Sequence, residues 1–155
     1  EAFGLADTLM LLHKGRIVQA GSTAELFRQP VNAWAAGFLG LGTLLSGSVV
    51  ASEPLIVQTA VGMFQAAACE RDWQVGAGAK LLLRPQDALL LRGQPEGANQ
   101  FSARVQDSLF MGETYRSSLR IGEFALDIQT DTALAPGSDV TVAFPPERVS
   151  CLKGE

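Results

Sequence analysis

The sequence is poor in the side chains that most chemistry needs. Among its 155 residues there is one histidine, one tyrosine and two cysteines. Cys69 and Cys151 lie far apart and share no metal-type spacing, so each is expected as a reduced, buried thiol in a reducing compartment. A site built from His13, Cys69 and Cys151 would lack a fourth ligand and fits no zinc pattern, and no metal is expected. His13 ends an apolar run directly before Lys14-Gly15, with no Ser or Cys nucleophile pattern around it, so a structural or exposed role is expected. Lys and Arg never stand side by side, and the formal net charge is −4. That excludes the concentrated basic face on which phosphate-backbone binding depends, and no nucleic-acid partner is expected. No stretch reaches the roughly 18–20 apolar residues that cross a bilayer. The opening Glu1-Ala2-Phe3-Gly4 has neither the basic nor the apolar region of a signal peptide, and reads as the interior of a longer chain.

Phosphate-cradling motifs are missing too. The Walker pattern of glycine, four residues, glycine, lysine and Ser or Thr does not occur. Gly76-Ala-Gly78-Ala-Lys80 superficially resembles one, but it precedes a strand rather than a helix N-terminus and is read as a turn. The carboxylates Asp107, Glu113, Asp127 and Asp131 are scattered over strands and turns, which suits solubility better than acid–base catalysis. No catalytic residue is assigned, and the chain is not expected to be an enzyme.

The chain does have apolar material, 47% of residues, in a pattern that changes near residue 42. Residues 1–42 alternate short apolar strands, Thr8–His13 and Arg16–Ala20, with helices. Ser22 followed by Glu25 forms a capping box, which starts a helix over Thr23–Gln29 with Leu26 and Phe27 facing the core until Pro30 stops it. Asn32 caps a second helix, Ala33–Leu39, with Trp34, Phe38 and Leu39 on one face. From residue 43 to 155 the pattern is of strands, with turn signals every eight to twelve residues, the mark of a small barrel or sandwich. Alternation is cleanest in Phe124-Ala-Leu-Asp-Ile-Gln, which places Phe124, Leu126 and Ile128 on one face. Arg92–Asn99 reads as an exposed loop. Arg104 and Arg116 fall on neighbouring strands and could face one another across the Met111-Gly112 turn, as acid-paired surface residues or as an oxyanion site.

Several spaced motifs in one order carry a resemblance. Glu1-Ala2, Ala6-Asp7, Gly15-Arg-Ile-Val-Gln-Ala-Gly21, Leu26-Phe-Arg-Gln-Pro30 and Phe38-Leu39-Gly40 resemble the region just after the switch-histidine loop of ABC importer ATPases. The remainder of the chain resembles the transport-associated oligonucleotide-binding-like (TOBE) domain appended to such subunits. Its Arg-Pro-Glu-Asp motif stands here as Arg84-Pro85-Gln86-Asp87, and its strand ending in glycine as Ala103 to Gly112. The resemblance implies a mainly β fold, an OB-like TOBE barrel over 43–155 preceded by a short α/β remnant of the nucleotide-binding domain over 1–42. Arg84, Pro85, Asp87 and Gly112 are then its structural motif residues. It implies a non-catalytic regulatory and dimerisation domain of an importer for ferric iron, polyamine or sulfate. The fragment would hold no cofactor, while ATP and Mg2+ belong to the full subunit. Implied partners are a second copy, the nucleotide-binding domain and transmembrane permease subunits. The implied location is cytoplasmic, peripheral on the inner face of the membrane, without insertion into it.

Residues 44–155 hold nine Lys and Arg against thirteen Asp and Glu, so the whole net negative charge falls there and a barrel of this class would be reused for protein contacts. Met63, Phe64, Phe110 and Met111 are candidate contacts, with core packing an equal reading of each. The alternative is an oxyanion sensor, since related molybdate-binding domains carry Ser-Ala-Arg-Asn. Here Ser102-Ala103-Arg104 is followed by Val105, and Ser102, Arg104 and Arg116 are the candidate anion ligands.

Overall fold

A computed structural model of the chain describes residues 7–68 and 72–154. Cys69 lies outside them. Strands β1 (Thr8–His13) and β2 (Arg16–Ser22) form a two-stranded antiparallel hairpin. Its two-residue loop, Lys14-Gly15, has φ of 52° and 77°, the left-handed pair that suits the twist of a tight hairpin. Helix α1 (Thr23–Arg28) starts at the capping box: Glu25 N–H donates to Ser22 Oγ at 3.2 Å and Ser22 N–H to Glu25 Oε2 at 2.9 Å. Helix α2 (Ala33–Phe38) comes next, with Ala35 N–H donating to Asn32 Oδ1 at 2.9 Å.

The rest is β-structure in two sheets. Strands β3 (Thr43–Ser52), β4 (Leu55–Thr59), β5 (Gly62–Gln65), β6 (Ala67–Ala68), β7 (Gly78–Leu83) and β13 (Ser150–Leu152) make a six-stranded sheet in the order β5-β4-β3-β7-β13-β6. Strands β8 (Leu89–Leu91), β9 (Gln100–Phe110), β10 (Tyr115–Ile121), β11 (Phe124–Thr130) and β12 (Asp139–Ala143) make a five-stranded sheet in the order β11-β10-β9-β12-β8. The two curl against each other into an OB-like half-barrel. The expected alternation holds on β11, where Leu126 and Ile128 are buried and Phe124 packs partly buried against the same core.

That core collects inward residues from both sheets, among them Val49, Val57, Phe64, Leu81, Phe101, Val105, Leu119 and Phe144. Burying side chains of this size contributes about 1.5–3 kcal/mol each. The second half of β7, Leu81-Leu82-Leu83, is an unbroken apolar run because both of its faces are covered there. Leu81 and Leu83 point into the barrel core, whereas Leu82 packs with Ala33, Ala36, Leu41 and Leu152 beneath helix α2. The change of pattern at residue 42 is therefore a change of secondary structure across a shared apolar layer. The end of the chain reinforces it: the first amides of α2, Ala33 and Trp34, donate to the carbonyls of Lys153 (2.7 Å) and Gly154 (3.1 Å). Two donors that a helix start leaves over are thus met by the segment after β13.

Two expectations need correction. Phe64, a candidate exposed contact in the sequence, alternates inward on β5 and is 1% exposed, with its ring near that of Phe101. Asn99, expected in an exposed loop, is buried, whereas Arg92 and Gly93 are exposed.

Candidate functional site

The strand pattern has to cross from one sheet to the other, and two of the crossings are made by proline-led 3-10 turns. Pro85–Asp87 carries the chain from β7 to β8, and Pro146–Arg148 carries it from β12 to β13. Proline suits the first position of such a turn, where its fixed φ is already correct and its missing N–H is not needed. The two corners meet through Asp87 and Arg148, 3.9 Å apart.

Arg84 opens the first corner and is 7% exposed. Its Nη2 donates to the carbonyls of Phe27 and Arg28 at the end of α1. Its guanidinium carbon lies 4.8 Å from the centre of the Phe27 ring. A planar cation that is hydrogen-bonded at its edge and stacked on its face suits arginine and not lysine. Phe27 corrects a third expectation: it does not face the core but is exposed, and serves as the platform for this contact. Burial raises the Asp87 pKa from the ordinary carboxylate value, against the opposing pull of Arg148 and Arg84. A carboxyl with a raised folded-state pKa contributes stability that is fully present below the unfolded-state value and is lost as pH rises through the folded-state value. Wild-type stability should therefore gain relative to Asp87→Asn as pH falls from neutrality to below about 4. Parallel pH–stability curves from urea denaturation of the two proteins would contradict this.

The candidate anion ligands do not converge. Arg104 pairs in register with Arg120, and Arg116 pairs with Leu109 on β9 and Gln129 on β11. Four strand positions, about 13 Å, separate Arg116 from the residue opposite Arg104. A register shift between Ser118 and Leu119 adds to the offset, and nothing in the sequence flags it. Arg104 Nε contacts Asp139 Oδ1 at 3.2 Å, and that hydrogen bond, with the attraction behind it, raises the guanidinium pKa. Ser102 lies on the same exposed face, opposite Thr141. Gly112 sits at the β9–β10 turn with φ of 107°, a conformation open to glycine at little cost.

Arg116 instead lines a cleft of about 340 Å³ between the two parts of the chain, with Gln86, Asp127 and the Gly40–Thr43 segment. The sequence marks Asp127 only as a surface carboxylate, because the cleft is assembled from five separate segments. The exposed apolar features include Leu109, Phe110 and Met111 at the end of the β9–β10 hairpin, Met10, Leu12 and Ile17 on the outer side of β1–β2, and Leu89, Leu90 and Leu91 along β8. Among the described residues no three His, Cys, Asp or Glu side chains cluster as metal ligands, and no helix is long and apolar enough to cross a membrane.

Comparison with known proteins agrees with this geometry. Residues 81–152, from β7 to β13, match the TOBE domain family model. A spermidine/putrescine import ATP-binding protein of Thermotoga maritima is 32% identical over 131 residues, covering 79% of this chain and 35% of that protein. Its namesake in Rubrobacter xylanophilus is 28% identical over 165 residues, covering 100% of this chain and 43% of the relative. The chain thus spans less than half the length of these curated relatives. A crystal structure of the cytoplasmic molybdate-binding protein ModG with molybdate bound superposes with a TM-score of 0.56 at 12% identity, over 72% of this chain and 95% of that one, which is a likeness of fold. With the Arg84-Pro85 corner inside the matched region and the similarity running back through the helices, this chain carries a TOBE domain and belongs with the C-terminal, regulatory part of ABC importer ATP-binding subunits.

Proposed function

We propose that the chain is the non-catalytic regulatory and dimerisation part of an importer's ATP-binding subunit. The observation that carries this reading is the end of the β9–β10 hairpin. Leu109, Phe110 and Met111 are 60%, 64% and 62% exposed, and Phe110 packs its ring 5.3 Å from that of Tyr115. A run of large apolar side chains held on a hairpin, in a domain of net negative charge, is suited to anchoring a protein partner. In this reading the partner is a second copy, and the two copies stay joined while the catalytic halves open and close. The exposed face of Met10, Leu12 and Ile17 is where the nucleotide-binding domain of the same subunit would pack. ATP and Mg2+ act in that domain, permease subunits bind the assembled pair at the cytoplasmic face of the membrane, and the relatives' names favour a polyamine among small solutes. The barrel itself contributes contacts and no reacting group.

Sedimentation velocity at high micromolar concentration should show a dimer. Phe110→Asp should weaken it by about thirtyfold or more, the scale of losing a 2 kcal/mol anchor, with thermal stability unchanged. A wild-type chain that stays monomeric in that range would sink the dimerisation reading.

A further inference from the structure

The cleft between the helical segment and the barrel has walls of unlike chemistry. Its floor and one side are the Pro85-Gln86 corner and the outward faces of β10 and β11, which contribute Arg116 and Asp127. Its other side is Gly40–Thr43, the link between α2 and β3, with Phe27 at the edge. The link lies tight against the barrel here: a side chain at Gly42 would collide with the Leu83 carbonyl. At about 340 Å³ the cleft is at the small end of the range in which proteins hold low-molecular-weight ligands.

The charges in it are arranged unusually. Arg116 is opposite Gln129, and Asp127 is opposite Ser118, so Arg116 and Asp127 are diagonal neighbours on one face of the β10–β11 pair. Diagonal neighbours stand about 7–8 Å apart, within reach for an arginine. Yet no ion pair joins them, and the half-buried Arg116 side chain makes no hydrogen bond to any described residue. Asp127 spends one oxygen on the Ser118 hydroxyl at 3.0 Å, which leaves the other for a ligand. A simple oxyanion would meet Arg116 favourably and be repelled by Asp127. A simple cation would meet the reverse. A molecule that carries both charges a short distance apart satisfies both walls: its carboxylate takes the two-pronged guanidinium, and its ammonium takes the second Asp127 oxygen.

We propose that this cleft binds a small zwitterion of the α-amino acid class, held by Arg116 and Asp127 with the Gln86 side chain beside them. Because the ligand would touch the α2–β3 link on one side and the barrel on the other, its binding stiffens the seam through which the barrel is joined to the segment before it. The proposal supplies a ligand for the regulatory role above and rests on that role only for its consequence. Binding is read by calorimetry and self-association by sedimentation of the same samples, so failure of one is distinguishable from failure of the other.

The test is isothermal titration of the whole chain with each of the twenty common amino acids. For any that binds, its analogues lacking only the amino group or only the carboxylate are titrated as well. At least one amino acid is expected to bind with a dissociation constant of about 1 mM or tighter, more tightly than either analogue. Arg116→Gln should weaken it about tenfold or more. Asp127→Asn should abolish the preference over the carboxylate-only analogue while leaving that analogue's own binding intact or stronger. Near-ultraviolet circular dichroism of both variants, unchanged from wild type, would confirm that they remain folded. No heat from any amino acid at about 10 mM, ten times that constant, overturns the proposal. So does binding that ignores both substitutions, or equal binding of an amino acid and its carboxylate-only analogue.

Discussion

Replacing Asn99 by alanine should cost about 3–7 kcal/mol, a large part of the 5–15 kcal/mol by which a domain is typically stable. Asn99 is 4% exposed and sits where β9 begins, with φ of 65°. Its Nδ2 donates to the carbonyls of Gln65 and Phe144, each at 2.9 Å, and its Oδ1 accepts from the Gln65 amide at 2.7 Å. Its own backbone adds bonds to the Met63 carbonyl (3.0 Å) and from the Phe144 amide (3.1 Å). One residue therefore joins the end of β5, in the six-stranded sheet, to the residue after β12, in the five-stranded sheet. Alanine would leave at least two backbone groups without partners, at about 1–3 kcal/mol each, and would strain a left-handed position by about a further 1 kcal/mol.

Three variants separate those contributions. Asn99→Gly relieves the backbone and still loses the side-chain bonds, so it should be somewhat less harmful than alanine. Asn99→Asp keeps an acceptor for the Gln65 amide but turns a carboxylate toward two carbonyls, and should be the worst of the three. Urea denaturation and thermal melts measure this, with alanine lowering the midpoint by about 10 °C at roughly 2–4 °C per kcal/mol. Wild-type stability in all three would mean that the bridging amide contributes nothing that its replacements do not.

Asn99 also shows where reading the sequence stops. The elements fixed by local chemistry were legible: the Ser22–Glu25 capping box, the Asn32 cap, the turn at Lys14-Gly15 and the alternation of β11. In each, the deciding partners lie within a few residues of one another. Asn99 ends a stretch containing Gly93, Pro95 and Gly97, which is loop composition, and the composition is right up to the residue before it. Its burial is decided by Gln65 and Phe144, 34 and 45 residues away. The same holds for the cleft, which needs the β9–β10–β11 register, and a register is set by pairing rather than by the composition of any one strand. Phe64 and Met63 differ for a related reason. Both are apolar, and only the face each takes on β5 sends one inward and leaves the other 41% exposed.

Arg84 likewise joins distant parts of the chain, and its replacement should have the second largest effect. Arg84→Ala removes a buried cation whose bonds close the end of α1, 56 and 57 residues earlier in the chain. Hydrogen bonds to charged groups contribute about 1.5–3 kcal/mol, and the stack on Phe27 about 0.5–2 kcal/mol, so a loss of about 3 kcal/mol is expected. The loss should be local. The barrel core contains neither Phe27 nor Arg28, whereas the β1–β2 hairpin and α1 depend on a small cluster around Leu11, Leu26 and Ala35. Hydrogen exchange should accordingly accelerate most in β1, β2 and α1, with the amides of β9 and β10 little changed. Arg84→Lys keeps the charge and loses the flat face and the paired edge, and should recover less than half of the stability. Uniform acceleration over both sheets would show instead that the corner at Pro85 had collapsed and that Arg84 supports the barrel itself. Protection lost only before residue 42 would establish Arg84 as the tie between the barrel and the helical segment that precedes it.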